Sequence, residues 1–199
     1  MTRIAFFDVD TQKDFMEPTG ALYVKGAERL GDNLSALTRH ARAKGIPLVA
    51  SADAHAAQDP EFKQFPPHCV AGTPGQGKVA ATTVAGTRVI PNRPVAEAEL
   101  DAAAQAGEVL FEKVHFDAFT NPNLERYLRK LGAEEFVVYG VATDYCVRAA
   151  VLGLRARGFR VRLVTDAIAA VAPDTEALAL AEMRAAGAAI VTTADVLRG

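Results

Sequence analysis

Cys146 stands in Gly140-Val-Ala-Thr-Asp-Tyr-Cys146-Val-Arg, directly after the apolar run at 135–141, where a buried strand would turn into a helix. A thiol there is placed for nucleophilic chemistry. The helix dipole and free N–H groups favour thiolate over thiol, and the same N–H groups can bind a developing oxyanion. The alternative is a small buried core cysteine. Asp10 closes the first apolar run in Asp8-Val-Asp10, and Lys113 follows Val109-Leu-Phe-Glu112. Ligands of an open parallel sheet bind beyond the carboxyl ends of the strands, so all three residues would project into one crevice. Alone, Asp10 reads as a turn residue and Lys113 as a solvated loop lysine. Together they supply acid/base, cation and nucleophile, and a cation beside the thiol would lower its pKa.

Asp53-Ala-His55, Glu61 and His68 form a second cluster. Two imidazoles with one or two carboxylates suit one divalent metal ion of borderline type, Zn²⁺ first, with Fe²⁺ or Mn²⁺ also compatible. The competing reading has His55 and His68 hydrogen-bonding loop backbone alone. A non-catalytic metal or redox module using Cys69, Cys146 and the histidines is a further alternative. Against it, Cys69 adjoins His68, and neighbours in an extended chain point opposite ways. His40 is expected on the polar side of a helix and His115 near the pocket, without a defined role.

These residues must be held by a regular scaffold. Short β-type runs at 3–9, 47–51, 108–112, 135–141, 160–165 and 188–192 alternate with helical patterns. That alternation predicts an α/β fold: three layers, α/β/α, around a mainly parallel, roughly six-stranded Rossmann-like sheet. Leu30, Leu34, Leu37 and Ala41 mark the buried face of one helix, which Gly45 stops. A second helix is predicted from Asn121-Pro122, with Leu124, Leu128 and Leu131 on one stripe and Gly132 as its stop. A third begins after Thr143 and ends at Gly158, and a fourth runs from Pro173-Asp174 to near Gly187. The segment 56–86 has no sustained period. Its length and its Phe62, Phe65 and Val70 content predict an ordered loop draped over a site.

The 199 residues, 50% hydrophobic and 23% charged, suit one domain, 1–199. The net charge of -2 comes without a basic block, so nucleic acid and anionic membranes are not indicated as partners; a small molecule is. The early Asp8 interrupts any secretory apolar region and no run approaches membrane-spanning length, so the expected location is the cytoplasm. Homo-oligomerisation is left open.

The whole pattern resembles the nicotinamidase branch of the isochorismatase-like cysteine hydrolases. Asp10 with Gln12, Asp14 and Phe15 is similar to the family's Asp-x-Gln-x-Asp-Phe signature. Asp53-x-His55, Pro66-Pro67-His68-Cys69-Val70 and Gly72-Thr-Pro-Gly75 resemble its metal loop, and Gly140-Val-Ala-Thr-Asp-Tyr-Cys146-Val its nucleophile motif. The resemblance implies a catalytic Asp10, Lys113 and Cys146, a cis Val141–Ala142 peptide, and an oxyanion hole from Ala142 and Cys146. It implies substrate contacts from Phe15, Phe65, Val141 and Tyr145, and metal ligation by Asp53, His55, Glu61 and His68. Glu61 stands where many nicotinamidases have another histidine, and Phe65 where a tryptophan often precedes the paired prolines. The implied reaction is deamidation of nicotinamide to nicotinate and ammonia through a thioester. Hydrolysis of an N-carbamoyl or related amide is an alternative. A third comes from Phe6-Phe7-Asp8-Val-Asp10-Thr11, which looks in part like the Asp-x-Asp of haloacid-dehalogenase-type phosphatases.

Overall fold

The computed structural model describes residues 3–199. Seven strands form one sheet: β1 (Ile4–Val9), β2 (Leu48–Asp53), β3 (Arg88–Ile90), β4 (Glu108–Lys113), β5 (Glu135–Val141), β6 (Arg160–Ala169) and β7 (Ala189–Val191). Their order is β3-β4-β2-β1-β5-β6-β7, and every pair is parallel. The strand count corrects the expected six. β3 is a three-residue edge strand whose Arg88 and Val89 are exposed, too short to carry a period. β6 also outruns its predicted end by four residues.

Helices cover both faces of the sheet, giving the three-layer α/β/α arrangement. They are α1 (Lys13–Met16), α2 (Gly31–Lys44), α3 (Glu97–Ala103), α4 (Leu124–Leu131), α5 (Arg148–Ala156), α6 (Pro173–Ala185) and α7 (Thr193–Arg198). Alternation along β1 divides the core. Ala5, Phe7 and Val9 pack with Leu100, Leu128, Val151 and Met183 from α3 to α6, while Phe6 packs with Phe15, Leu34, Leu37 and Val196 from α1, α2 and α7. α2 stops at Gly45, which takes the left-handed conformation at φ 63°.

Two helix starts differ from expectation. α4 begins at Leu124, because the Asn121 side chain instead donates to the backbone carbonyls of Ile90, Pro91 and Glu112. The segment after Ala142 opens as a π-turn, Thr143–Val147, before α5 becomes regular. Residues 56–86 contain short 3₁₀ turns at Pro60–Lys63 and Pro74–Gln76. Two isolated bridges, Gln12 to Lys78 and His55 to Val70, hold the segment against the sheet. Among the described residues, no helix is long and apolar enough to cross a membrane.

The chain builds β2, β3 and β4 on one side of β1 and then crosses to build β5, β6 and β7 on the other, so a crevice opens at the carboxyl ends beside β1. Gly140 makes the local geometry possible: its φ is 121°, and a Cβ there would lie 2.0 Å from the Val9 carbonyl oxygen. No larger residue fits between β5 and β1 at this point.

Candidate active site

Four strand ends meet at the crevice. Asp10 follows β1 with a left-handed φ of 49°, which turns it off the strand direction, and its N–H donates to the Ser51 carbonyl. Ser51 also donates its hydroxyl to Asp10 Oδ1 at 2.7 Å. Lys113, the last residue of β4, is fully buried, with Nζ 2.8 Å from Asp10 Oδ2 and 2.5 Å from Asp53 Oδ1. The same Nζ donates to Cys146 Sγ at 3.7 Å. Asp10, Asp53 and Cys146 each present an atom within 4.8 Å of the others. Cys146 sits in the π-turn just after the Val141–Ala142 peptide, which is cis.

Burial governs the charges. Lys113 would lose its proton more readily from desolvation alone, but Asp10 and Asp53 outweigh this and hold its pKa well above the usual lysine range. Burial raises the Asp10 carboxyl, and Lys113 only partly offsets it. At Asp53 burial pushes the same way, but Lys113 prevails and the pKa falls. At Cys146 burial again sets the direction. Burial and the neighbouring Asp10 and Asp53 carboxylates outweigh the Lys113 cation and lift it well above the ordinary thiol value. Cys146 thus lies beside the Lys113 cation and two carboxylates, with its thiol biased towards the protonated form.

Asp53 also faces the opposite way. Its Oδ2 lies 3.9 Å from His55 Nε2, and Asp53, His55 and His68 offer ligand atoms within 4.8 Å of one another. His55 is wholly buried, yet neither ring nitrogen completes a hydrogen bond. Burial opposes protonation of this imidazole, but Asp53 and Asp59 prevail and raise its pKa, so the field there favours a cation. His55 Nε2, without a hydrogen-bond partner and set in a negative field beside the buried Asp53 carboxylate and the His68 imidazole, fits a divalent metal ion. Glu61 flanks this group, with Oε1 3.9 Å from His68 Nε2. Asp59 Oδ2, 3.1 Å from His55 Nδ1, was not expected from the sequence. The His55 Nδ1 contact leaves Nε2 facing Asp53. His68 Nδ1 lies 2.8 Å from the Pro66 carbonyl, which orients its ring.

Cys146, Asp53 and His68 border one cavity of about 590 Å³, counted to its open mouth. Phe15, Phe65, Tyr145, Ala142, Cys146, Asp53, Glu61 and His68 line it. Val141 does not. It is the fully buried last residue of β5 and packs in the core with Phe6 and Tyr139. Phe116 and Val171 take part in the wall instead. Phe116 is packed edge-on between Phe65 and Tyr145, at centroid distances of 6.2 and 5.1 Å. His115 is exposed and outside the lining, and His40 is half-buried and stacked on Phe6. Cys69 is buried, its thiol pushed upward by desolvation and its N–H donated to Asp14 Oδ2. It belongs to none of the metal-ligand groups among the described residues, which removes the basis for a shared Cys69–Cys146 metal or redox centre. Asp8, required by the phosphatase alternative, is buried in an ion pair with Lys78 and does not reach the cavity.

Signals for some missed residues were present. Ser51 alternates with Asp53 on β2, so period two puts both on one face. Asp59 precedes Pro60, and its side chain caps the following turn by accepting from the Glu61 N–H.

Known proteins resemble this chain over nearly its whole length. Residues 5–195 match a family model described as the isochorismatase domain. The nicotinamidase/pyrazinamidase of Mycobacterium tuberculosis is 34% identical over 195 residues, 94% of this chain and 97% of its own. The pyrazinamidase of Pyrococcus horikoshii, solved in complex with zinc, is 30% identical with a TM-score of 0.79, covering 96% of this chain and 99% of its own. More distantly, a maleamate amidohydrolase of Pseudomonas putida is 24% identical over 82% of this chain and 71% of its own length.

Proposed function

The chain belongs to the isochorismatase domain family, and from that premise we propose that it is a nicotinamidase-type amidase converting nicotinamide to nicotinate and ammonia. The observation that carries this reading is Asp53. One oxygen of its carboxylate meets the Lys113 ammonium and the other faces His55, so a nucleophile set and a metal-ligand set share one residue beside one apolar pocket.

In this reading Phe15 and Phe65 pack against the pyridine ring, and the carboxamide faces Cys146. Asp53, His55, His68 and Glu61 would hold a divalent ion, Zn²⁺ by the donor set, which would supply a Lewis acid for an electron-rich part of the substrate. Asp10 takes the Sγ proton as sulfur attacks the carbonyl carbon, which suits a thiol held neutral by burial. N–H groups of Ala142 and Cys146 hold the oxyanion. Asp10, whose own pKa is raised by burial, then gives the proton to departing ammonia. A water deprotonated by Asp10 then attacks the thioester carbonyl, the C–S bond breaks to release nicotinate, and Asp10 returns the proton to Sγ. Lys113 stays charged throughout and balances negative charge on Asp10 and sulfur.

The test is ammonia release from nicotinamide, pyrazinamide, maleamate and an N-carbamoyl amine, before and after chelation. The expected result is preference for the two aromatic amides, a fall in kcat/KM of about 10²-fold or more on chelation, and recovery with Zn²⁺. Preference for maleamate or the N-carbamoyl compound would overturn the substrate. Undiminished turnover by protein shown to be metal-free would overturn the Lewis-acid role.

A further inference from the structure

We propose that a buried ionic buckle, Lys78 clasped between Asp8 and Glu108, sets the register of the 56–86 loop and through it the placement of Asp53; its catalytic consequence rests on the amidase reading above. Lys78 Nζ lies 2.8 Å from Asp8 Oδ2 and 2.5 Å from Glu108 Oε1, with all three side chains buried. Thr11 donates its hydroxyl to Asp8, and Thr11 and Thr82 hydroxyls are 2.7 Å apart. Thr87 donates to the second Glu108 oxygen. The buckle thus joins β1, the start of β4 and both ends of the segment 78–87. None of its three charged members lines the substrate cavity.

Its reach is through the backbone. Lys13 donates its N–H to the Gly77 carbonyl, and Val79 donates to the Thr11 carbonyl, each at 2.9 Å. Between these two bonds stands Gln12, whose side chain is wholly buried. Its Nε2 donates to the carbonyls of Asp53 and Gln76, and its Oε1 accepts the Asp53 N–H. Gln12 therefore fixes both backbone groups of the residue that the triad and the histidine cluster share.

The loop needs such a device. In Gly77-Lys-Val-Ala-Ala-Thr-Thr-Val-Ala-Gly86 the buried Val84 and Thr82 and the packed Val79 and Ala81 give the segment a few small anchors, and Lys78 is its one charged group. Buried ion pairs add little net stability over apolar groups of equal size, but breaking one leaves uncompensated charge. A slipped loop would leave Asp8, Lys78 and Glu108 all unpaired, so the buckle penalises wrong registers specifically. Lys78 is a positioning residue in this account.

The experiment compares Lys78→Met, Lys78→Arg and the neutral triple Asp8→Asn/Lys78→Met/Glu108→Gln. Its readouts are Tm, amide hydrogen exchange at Lys13 and Val79, and Zn²⁺ affinity by competition with a chromophoric chelator. Lys78→Met is expected to lower Tm and to speed both amides, and Lys78→Arg to preserve both. The triple is expected to regain Tm, yet to keep faster exchange and a Zn²⁺ affinity about tenfold or more below wild type. Wild-type exchange and Zn²⁺ affinity in the triple, or in Lys78→Met below its Tm, would overturn the proposal. These readouts need no substrate, so a protein that fails to hydrolyse nicotinamide refutes the amidase reading and leaves this one standing on its own data.

Discussion

Cys146→Ala is expected to lower nicotinamide turnover by about 10⁴-fold or more while the protein remains folded and metal-binding. The size follows from the role. Without sulfur there is no acyl-enzyme, and water would have to attack the amide directly from a pocket shaped for a covalent route. The stability cost is small by comparison. Cys146 is buried among Val147, Ala150 and neighbouring core residues, and deleting one sulfur-sized group costs about 1 kcal/mol. A kinetic collapse with a near-native Tm separates loss of chemistry from loss of fold. Steady-state ammonia release and a thermal melt on the same sample check both halves, and turnover within about tenfold of wild type would remove Cys146 from the mechanism.

Lys113→Met is expected to fail on both counts. Nζ is enclosed by Asp10, Asp53 and Cys146. Methionine fills much the same volume but leaves two buried carboxylates facing each other without a counter-charge. Removing one partner of a buried ionic set costs about 3–5 kcal/mol. The same substitution removes the cation that opposes the upward push of burial on the thiol, so the nucleophile becomes harder to ionise. A fall in kcat of about 10²-fold or more is expected in whatever fraction stays folded. Denaturant unfolding at neutral pH, followed by kcat at a temperature below the variant's Tm, checks the two effects separately. A variant with native stability would mean that water or a proton replaces Lys113 at little cost.

The legible parts of this molecule were those set by local pattern. Buried runs such as 135–141 announce central strands, and Leu34, Leu37 and Ala41 announce the inner face of α2. β3 escaped notice because three edge residues, two of them exposed, have no period to read. Asn121-Pro122 looks like a helix start, yet tertiary hydrogen bonds to three carbonyls claim Asn121 first. Asp10, Asp53, Lys113 and Cys146 were legible for the same reason as the strands, since each lies at or soon after a strand end, whereas Glu61 and His68 were legible only as ligand-type residues in an unusually long loop. Their electrostatics were not. A thiol near a lysine and a helix start reads as a thiolate until the structure shows the Asp10 and Asp53 carboxylates beside it as well. Lys78 was invisible as well, because one lysine in a run of glycine, alanine and threonine reads as a solvated loop until Asp8 and Glu108 are seen beside it.

The central claim is covalent catalysis by Cys146 on nicotinamide, and acid-quenched mass spectrometry during turnover tests it most directly. The account predicts a nicotinoyl adduct on the peptide carrying Cys146, transferable to hydroxylamine as the hydroxamate and absent from Cys146→Ala. Sustained ammonia release from nicotinamide with the protein unmodified at every quench time and no hydroxamate formed would contradict it.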